Sequence, residues 1–337
     1  MAGHFQLRNR HWSVGTGNRS VSLFSLAQPR VFVVLLLLLS TLAPLDAAAP
    51  SLDEPPEDPA TARLIADVTA IEPGKTFRLG VHFRMEHHWH IYWHSAREGG
   101  LGTQVLWQHP AGLKMSPLSW PVPKRYNLEG DLIAFGYEDE VLIFTEVTVD
   151  PDFKAEGPVE IGAQLSWLVC KKVCLIGQGN PKLELPVGTA QPANRALFDR
   201  FSARLPQSPA QAKKSGVTVS EKFLAKTETP IPEKWQITVE WPKAGARPPK
   251  EAFHLFPFDF PGATLGLGSV ETDGARAVFT FSIDVYDRQE FRPARVGAVI
   301  SWEPPPEEEG ASGATSRPAV KKTSALRVTH DAQRASQ

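Results

Sequence analysis

From about residue 62 the chain alternates apolar and polar positions in short runs. In the runs 63–68, 76–83, 89–93, 141–149 and 159–165 most alternate positions are Val, Ile, Leu, Phe or Trp, and clusters of Pro, Gly, Asp and Asn separate the runs. A period of two marks half-buried strands. Strands at this spacing, with no long 3.6-residue periodicity between them, predict an antiparallel sandwich over residues 62–187. The pattern stops in the linker 188–215, where Ala, Pro, Ser and Arg dominate and one short helix is expected within 192–201, with Leu197 and Phe201 at i, i+4 spacing. Alternation resumes in 217–219, 235–241, 253–256, 277–283 and 296–302, which predicts a second, smaller β-domain over 216–303. The fold class is therefore all-β. Residues 304–337, first Pro- and Glu-rich and then Ser-, Ala- and Lys-rich, read as a disordered tail.

The amino-terminal stretch follows a different rule. Arg8, Arg10, Arg19 and Arg30 precede the apolar run 31–39, and small residues Ala47, Ala48 and Ala49 follow it. Basic residues, a short apolar run and a small-residue end make residues 1–49 a secretory signal, with 50–61 as a linker. The run is short for a membrane span, so an uncleaved anchor is the secondary expectation; Pro50 disfavours cleavage directly after the alanines. No cysteine follows the run, which removes a lipoprotein anchor. The expected location is periplasmic or otherwise extracytoplasmic. The whole chain carries 36 basic and 37 acidic residues, and without its Arg-rich leader it is mildly acidic. Its Lys and Arg residues are scattered among acids rather than gathered on one face, so no nucleic-acid partner is expected.

Cys170 and Cys174 are the only cysteines. A disulfide needs Cα atoms within roughly 7 Å, and four residues of straight strand span about 13 Å. The segment must therefore bend, either as a helical turn that brings i and i+4 to about 6 Å or as a tight hairpin at Lys171 and Lys172. Closing so small a loop removes little unfolded-state entropy, so redox exchange is the better use of the pair. Lys171 and Lys172 favour the thiolate, the attacking and leaving species in exchange. Trp167, Leu168, Val169, Val173 and Leu175 act the other way, by desolvation. As a first hypothesis Cys174 is the buried sulfur and Cys170 the exposed one. Two cysteines fall short of the ligand count of a zinc site, and no cofactor is expected.

Several local motifs, in order, resemble one family. They are His90-Ile-Tyr-Trp93, the Gly-rich segment 99–102 leading to Trp107, Trp120-Pro-Val-Pro123, residues 135–141 and the run from Trp167 to Cys174. Together they resemble the amino-terminal redox domain of the DsbD family of thiol:disulfide interchange proteins, most closely the subgroup associated with suppression of copper sensitivity. The resemblance covers roughly residues 62–187 and more loosely the second β-domain. It implies an immunoglobulin-like sandwich whose cysteine pair, matched by Cys170 and Cys174, takes electrons from a thioredoxin-like partner and passes them to oxidised extracytoplasmic protein clients. It also implies a short aromatic loop over the disulfide, matched best by 133–137, with Phe135 as the shielding ring, Tyr137 beside it and Gly136 giving the loop freedom to move. Full-length family members continue into a membrane domain and a thioredoxin domain with a C-x-x-C pair. Neither appears in this sequence, so a separate membrane electron transporter is the expected partner, and the chain is read as a protein-disulfide reductase or an electron-carrier component.

The rival signal is the His-rich stretch 87–94. On a strand His88, His90 and His94 would share a face, and three imidazoles suit copper or zinc. This supports the alternative of a non-enzymatic binding protein, for copper, that keeps the fold with a structural disulfide; solvent-facing strand histidines are the plainer reading. No G-x-S-x-G turn and no phosphate-binding Gly loop is present, which argues against serine hydrolysis and nucleotide chemistry.

Overall fold

A computed structural model describes residues 58–98, 100–225, 232–242, 248, 250–273, 275–293, 296–302 and 324–329. The expected signal segment and most of the expected tail lie outside these residues. Within them the alternating runs form strands. One sheet joins β1 (Ala60–Ala66), β2 (Thr76–Met85), β8 (Glu140–Val149) and β5 (Leu113–Met115) in the order β1-β2-β8-β5. The facing sheet runs β10 (Cys174–Gly179), β9 (Val159–Cys170), β3 (His90–Arg97), β7 (Ile133–Glu138) and β6 (Lys124–Asn127); β4 (Gln104–Gln108) and β11 (Lys182–Leu185) also pair with β9. All pairings are antiparallel. The inward residues Val81, Phe83, Val141 and Ile143 of the first sheet meet Ile91, Trp93, Leu165, Trp167 and Val169 of the second. Phe83 and Trp167 cross edge to face at 5.3 Å. This is the sandwich read from the alternation.

The linker folds into two short helices, α1 (Arg195–Ser202) and α2 (Pro209–Lys213). On α1 the fully buried pair is Phe198 and Phe201 at i, i+3, with Leu197 only partly covered. Phe198 meets Phe144 of β8 at 5.7 Å.

The second unit is again two sheets. One orders β12 (Thr218–Ala225), β13 (Pro232–Glu240), β17 (Arg276–Val285) and β15 (Ala263–Leu265), with β16 (Ser269–Asp273) also on β17. The other orders β14 (Phe253–Pro257), β18 (Gly297–Trp302) and β19 (Ser324–Thr329). Here the expected tail is corrected. Ala325, Leu326 and Val328 are buried, and β19 pairs along β18 from Gly297↔Thr329 to Trp302↔Ser324. Three apolar side chains at near-alternate positions outweigh the polar composition around them.

The sheet β14-β18-β19 buries both faces. Ile300, Leu326 and Val328 face Phe279 and Phe281 of their own sandwich, whereas Phe256, Val299 and Ala325 join the core that contains Trp93 and Phe135. Phe256 lies 5.0 Å from Phe135 and 6.3 Å from Trp93. Polar contacts join the same seam: the Asp259 amide donates to Ser95 Oγ at 3.0 Å and Arg97 Nη1 donates to the Leu265 carbonyl at 2.7 Å. The described residues of both sandwiches accordingly cluster as one compact unit.

Candidate redox site

The chain bends at the cysteines as a hairpin. Strand β9 ends at Cys170, strand β10 starts at Cys174, and Lys171, Lys172 and Val173 make the turn, closed by the Lys171 amide donating to the Val173 carbonyl at 3.0 Å. Cys170 and Cys174 are directly opposed partners of the β9–β10 ladder, with Cα atoms 4.2 Å apart, and their sulfurs form a disulfide. Hairpin register thus performs the folding-back that the spacing demanded.

The two sulfurs are not equivalent. Cys170 is 3% exposed, on a strand flanked on both sides by others, whereas Cys174 is exposed on β10 at the sheet edge. This reverses the expected assignment. Flanking composition is equally apolar around both residues; what separates them is the position of each strand in the sheet. Val173, half exposed, and Ile176, 71% exposed, leave apolar surface beside Cys174.

The shielding expectation fails on strand phase. Residues 133–137 lie in strand β7 rather than in a free loop. Along it Ala134 faces the cluster of Cys170, Tyr92 and Ala96, so Phe135 and Tyr137 point to the other face, into the core between the sheets. Phe135 is fully buried against Phe256 and Trp93. Tyr137 donates its hydroxyl to the Pro121 carbonyl at 2.7 Å, and burial pushes its phenol well up. Gly136 serves close approach rather than motion: a Cβ there would stand 2.3 Å from the Ile91 carbonyl oxygen of the neighbouring strand.

The three histidines expected on one face are also separated. His88 precedes β3 in a left-handed turn at φ 66° and is exposed. His90 is buried on the Cys170 face. A register shift between Tyr92 and Arg97 turns His94 the other way, onto Trp93, Trp120 and Phe258. Burial first, then the charge of Arg327, lowers the His94 imidazole to about 3, and its Nδ1 lies 2.8 Å from Ser95 Oγ. Among the described residues no cluster of three His, Cys, Asp or Glu side chains is arranged to hold a metal ion.

In place of a histidine triad, the register builds a row across four strands. Cys174 opposes Cys170, Cys170 opposes His90, and His90 opposes Glu138. Directly opposed residues of antiparallel strands point to the same face, with Cβ atoms about 4.5–5.5 Å apart. Tyr126 of β6 stacks on the His90 ring at 4.3 Å, and Tyr92 meets it edge-on at 5.4 Å. Burial lowers the His90 imidazole below its ordinary value, with Glu138 acting in the opposite sense. The hydrogen bond from Lys124, at 2.9 Å, is the main influence holding Glu138 low. Burial raises both phenols, that of Tyr126 further aided by Glu138 and Asp139. Sequence reading missed Tyr126 and Glu138, because only pairing register brings them to His90, the residue opposite Cys170.

Residues 59–185 match the family model of the N-terminal domain of thiol:disulfide interchange protein DsbD. Among solved structures, the N-terminal periplasmic domain of ScsB from Proteus mirabilis is similar to 82% of this chain over 96% of its own length, at 16% identity and a TM-score of 0.52, a likeness of fold. The DsbD N-terminal domain of Neisseria meningitidis, in its reduced form, aligns with 42% of this chain and 95% of its own at 14% identity, with a TM-score of 0.26 that is too low to bear on the fold. A comparison with curated proteins finds no match. The resemblance carried by the motifs is thus shown for residues 59–185, the part of this chain that matches the DsbD amino-terminal domain.

Proposed function

We propose that the chain is an extracytoplasmic thiol–disulfide exchange protein that carries electrons from a thioredoxin-like donor to oxidised protein clients through Cys170 and Cys174. The observation that supports it most is the asymmetry of the pair: one sulfur stands at an exposed sheet edge with apolar surface beside it, and the other lies directly behind it under cover. A donor thiolate attacks Cys174 Sγ, forms a mixed disulfide and expels the Cys170 thiolate; the donor's second thiolate then breaks the mixed bond and leaves a dithiol. The match to a thiol:disulfide interchange domain supports the same reading. Export, a role outside the cytoplasm and a separately encoded membrane transporter belong to this proposal, since the signal segment lies outside the described residues.

The test is mixed-disulfide trapping with a thioredoxin that keeps only its attacking cysteine, activated as a mixed disulfide with 5-thio-2-nitrobenzoate. Cys170→Ala keeps the exposed sulfur, whose thiolate should displace the nitrobenzoate thiolate and leave a covalent complex, visible as a mass increase lost on reduction, whereas Cys174→Ala should not. If neither variant traps and the native disulfide survives reduced thioredoxin, exchange is refuted and the bond is a structural staple.

A further inference from the structure

We propose that His90 accepts and returns the proton of Cys170 during exchange, held for that task by Tyr126 and Glu138. The inference rests on the exchange reading above and adds to it a chemical role for a side chain outside the cysteine pair.

Three observations carry it. His90 is directly opposite Cys170 on the neighbouring strand and on the same face, with Glu138 opposite it on the far side, so the imidazole stands between a sulfur and a carboxylate. His90 is 6% exposed and its Nε2 has no hydrogen-bond partner; the hydroxyl of the stacked Tyr126 has none either. An unpaired polar atom buried in this way carries an uncompensated desolvation cost, a penalty seldom retained without a use. Finally, Cys170 is nearly inaccessible, so water and small bases cannot readily take its proton. An exposed thiol can lose its proton to solvent, but a buried one needs a neighbour.

The charged and titratable groups around the ring are few. Glu138 comes from β7, with Lys124 of β6 bound to it. Tyr126 and Tyr92 present neutral phenols, and His88 and Asp139 act from the adjoining turns on Glu138 and Tyr126. A desolvated imidazole is neutral near pH 7 and therefore ready to act as a base.

In the reduced protein the Cys174 thiolate attacks a client disulfide, forming the Cys174–client bond and releasing the client's first thiolate. The Cys170 thiol gives its proton to His90, and the resulting thiolate attacks Cys174 Sγ. The intramolecular disulfide forms, the mixed disulfide breaks, and the client's second sulfur leaves as a thiolate. The client gains two electrons, the pair loses two, and the imidazolium returns its proton to the departing sulfur or to water.

The reduced full chain can be mixed with 5,5′-dithiobis(2-nitrobenzoate), which releases one coloured thiolate when Cys174 attacks and a second when Cys170 closes the disulfide. His90→Gln should leave the first phase unchanged and slow the second at least tenfold at pH 7. The deficit should shrink as pH rises through the thiol range, where hydroxide replaces the missing base. An unchanged second phase, or equal slowing of both phases without alkaline recovery, would overturn the role. If His90→Gln does not fold, the wild-type profile decides: a second phase that follows one ionisation at the ordinary thiol value near 8.5 refutes the proposal, and an extended plateau below it supports it. Failure of exchange as such would appear separately, as the absence of trapping by Cys170→Ala.

Discussion

Replacing Phe135 by Ala separates core packing from shielding of the disulfide. The ring is fully buried, 5.0 Å from Phe256 and 6.2 Å from Trp93, and its strand turns it away from the face that carries Cys170. Removing a buried phenyl group typically costs about 3–5 kcal/mol through lost transfer energy and the cavity left behind. Two edge-to-face partners lose their contact here, each such pair contributing about 0.5–1.5 kcal/mol beyond area, so the upper half of that range is expected. Guanidinium unfolding followed by tryptophan fluorescence reads the change as a lower midpoint at constant slope. Glutathione reduction of the disulfide, followed by alkylation of freed thiols, should keep its native rate under conditions where the variant remains folded. A stability loss below about 1 kcal/mol, together with several-fold faster reduction, would show that the ring covers the sulfurs and that the assignment of faces along β7 is wrong.

Three further outcomes follow from the packing. Gly136→Ala sets a methyl against the Ile91 carbonyl at 2.3 Å, where backbone meets backbone, so a loss of about 1–3 kcal/mol is expected; Gly157→Ala, with nothing within 4 Å, should stay within about 0.5 kcal/mol in the same melt. His94 is held neutral down to about pH 3 in the folded protein. Below its unfolded value near 6.5 the unfolded chain takes up the proton and the folded chain does not, so stability falls with acidification by up to about 1.4 kcal/mol per pH unit; denaturation at several pH values should show a shallower fall for His94→Gln between 6.5 and 3. Leu326→Ala, at a position 1% exposed, should cost about 2–5 kcal/mol, and a negligible change would show that β19 is dispensable.

The elements most legible in the sequence were strands that keep an alternating buried and open stretch, as at Thr76–Leu79, Thr145–Val149 and Ala277–Ile283. The alternating runs at 76–83, 141–149 and 277–283 lie within β2, β8 and β17. Which way a side chain faces stopped being legible where both faces are covered. In β7 every residue from Ile133 to Tyr137 is buried, so alternation cannot say which side chains meet the disulfide, and the aromatic residues were placed on the wrong face. The bent His-rich strand shows a related limit, since one register shift in β3 removes His94 from the face of His90. The cysteine pair itself was legible as a disulfide, but which of its sulfurs is exposed depended on which strand lies at a sheet edge, a property of distant pairing. Residues 324–329 were obscured by their polar surroundings, because six residues are too few to shift a compositional reading.

The doubly covered sheet β14-β18-β19 has a practical consequence for anyone who wishes to isolate the half that carries the disulfide. A truncation in the linker near residue 188 would look safe from the family match alone, because the matched segment ends at residue 185. It would also strip Phe256, Val299 and Ala325 from the core around Trp93 and Phe135, leaving two of the largest rings of the remaining piece open to water. Such a fragment should be sticky and prone to self-association. Kinetic measurements on it would then describe an injured protein rather than a minimal one, and the smallest faithful preparation must keep the chain through Thr329.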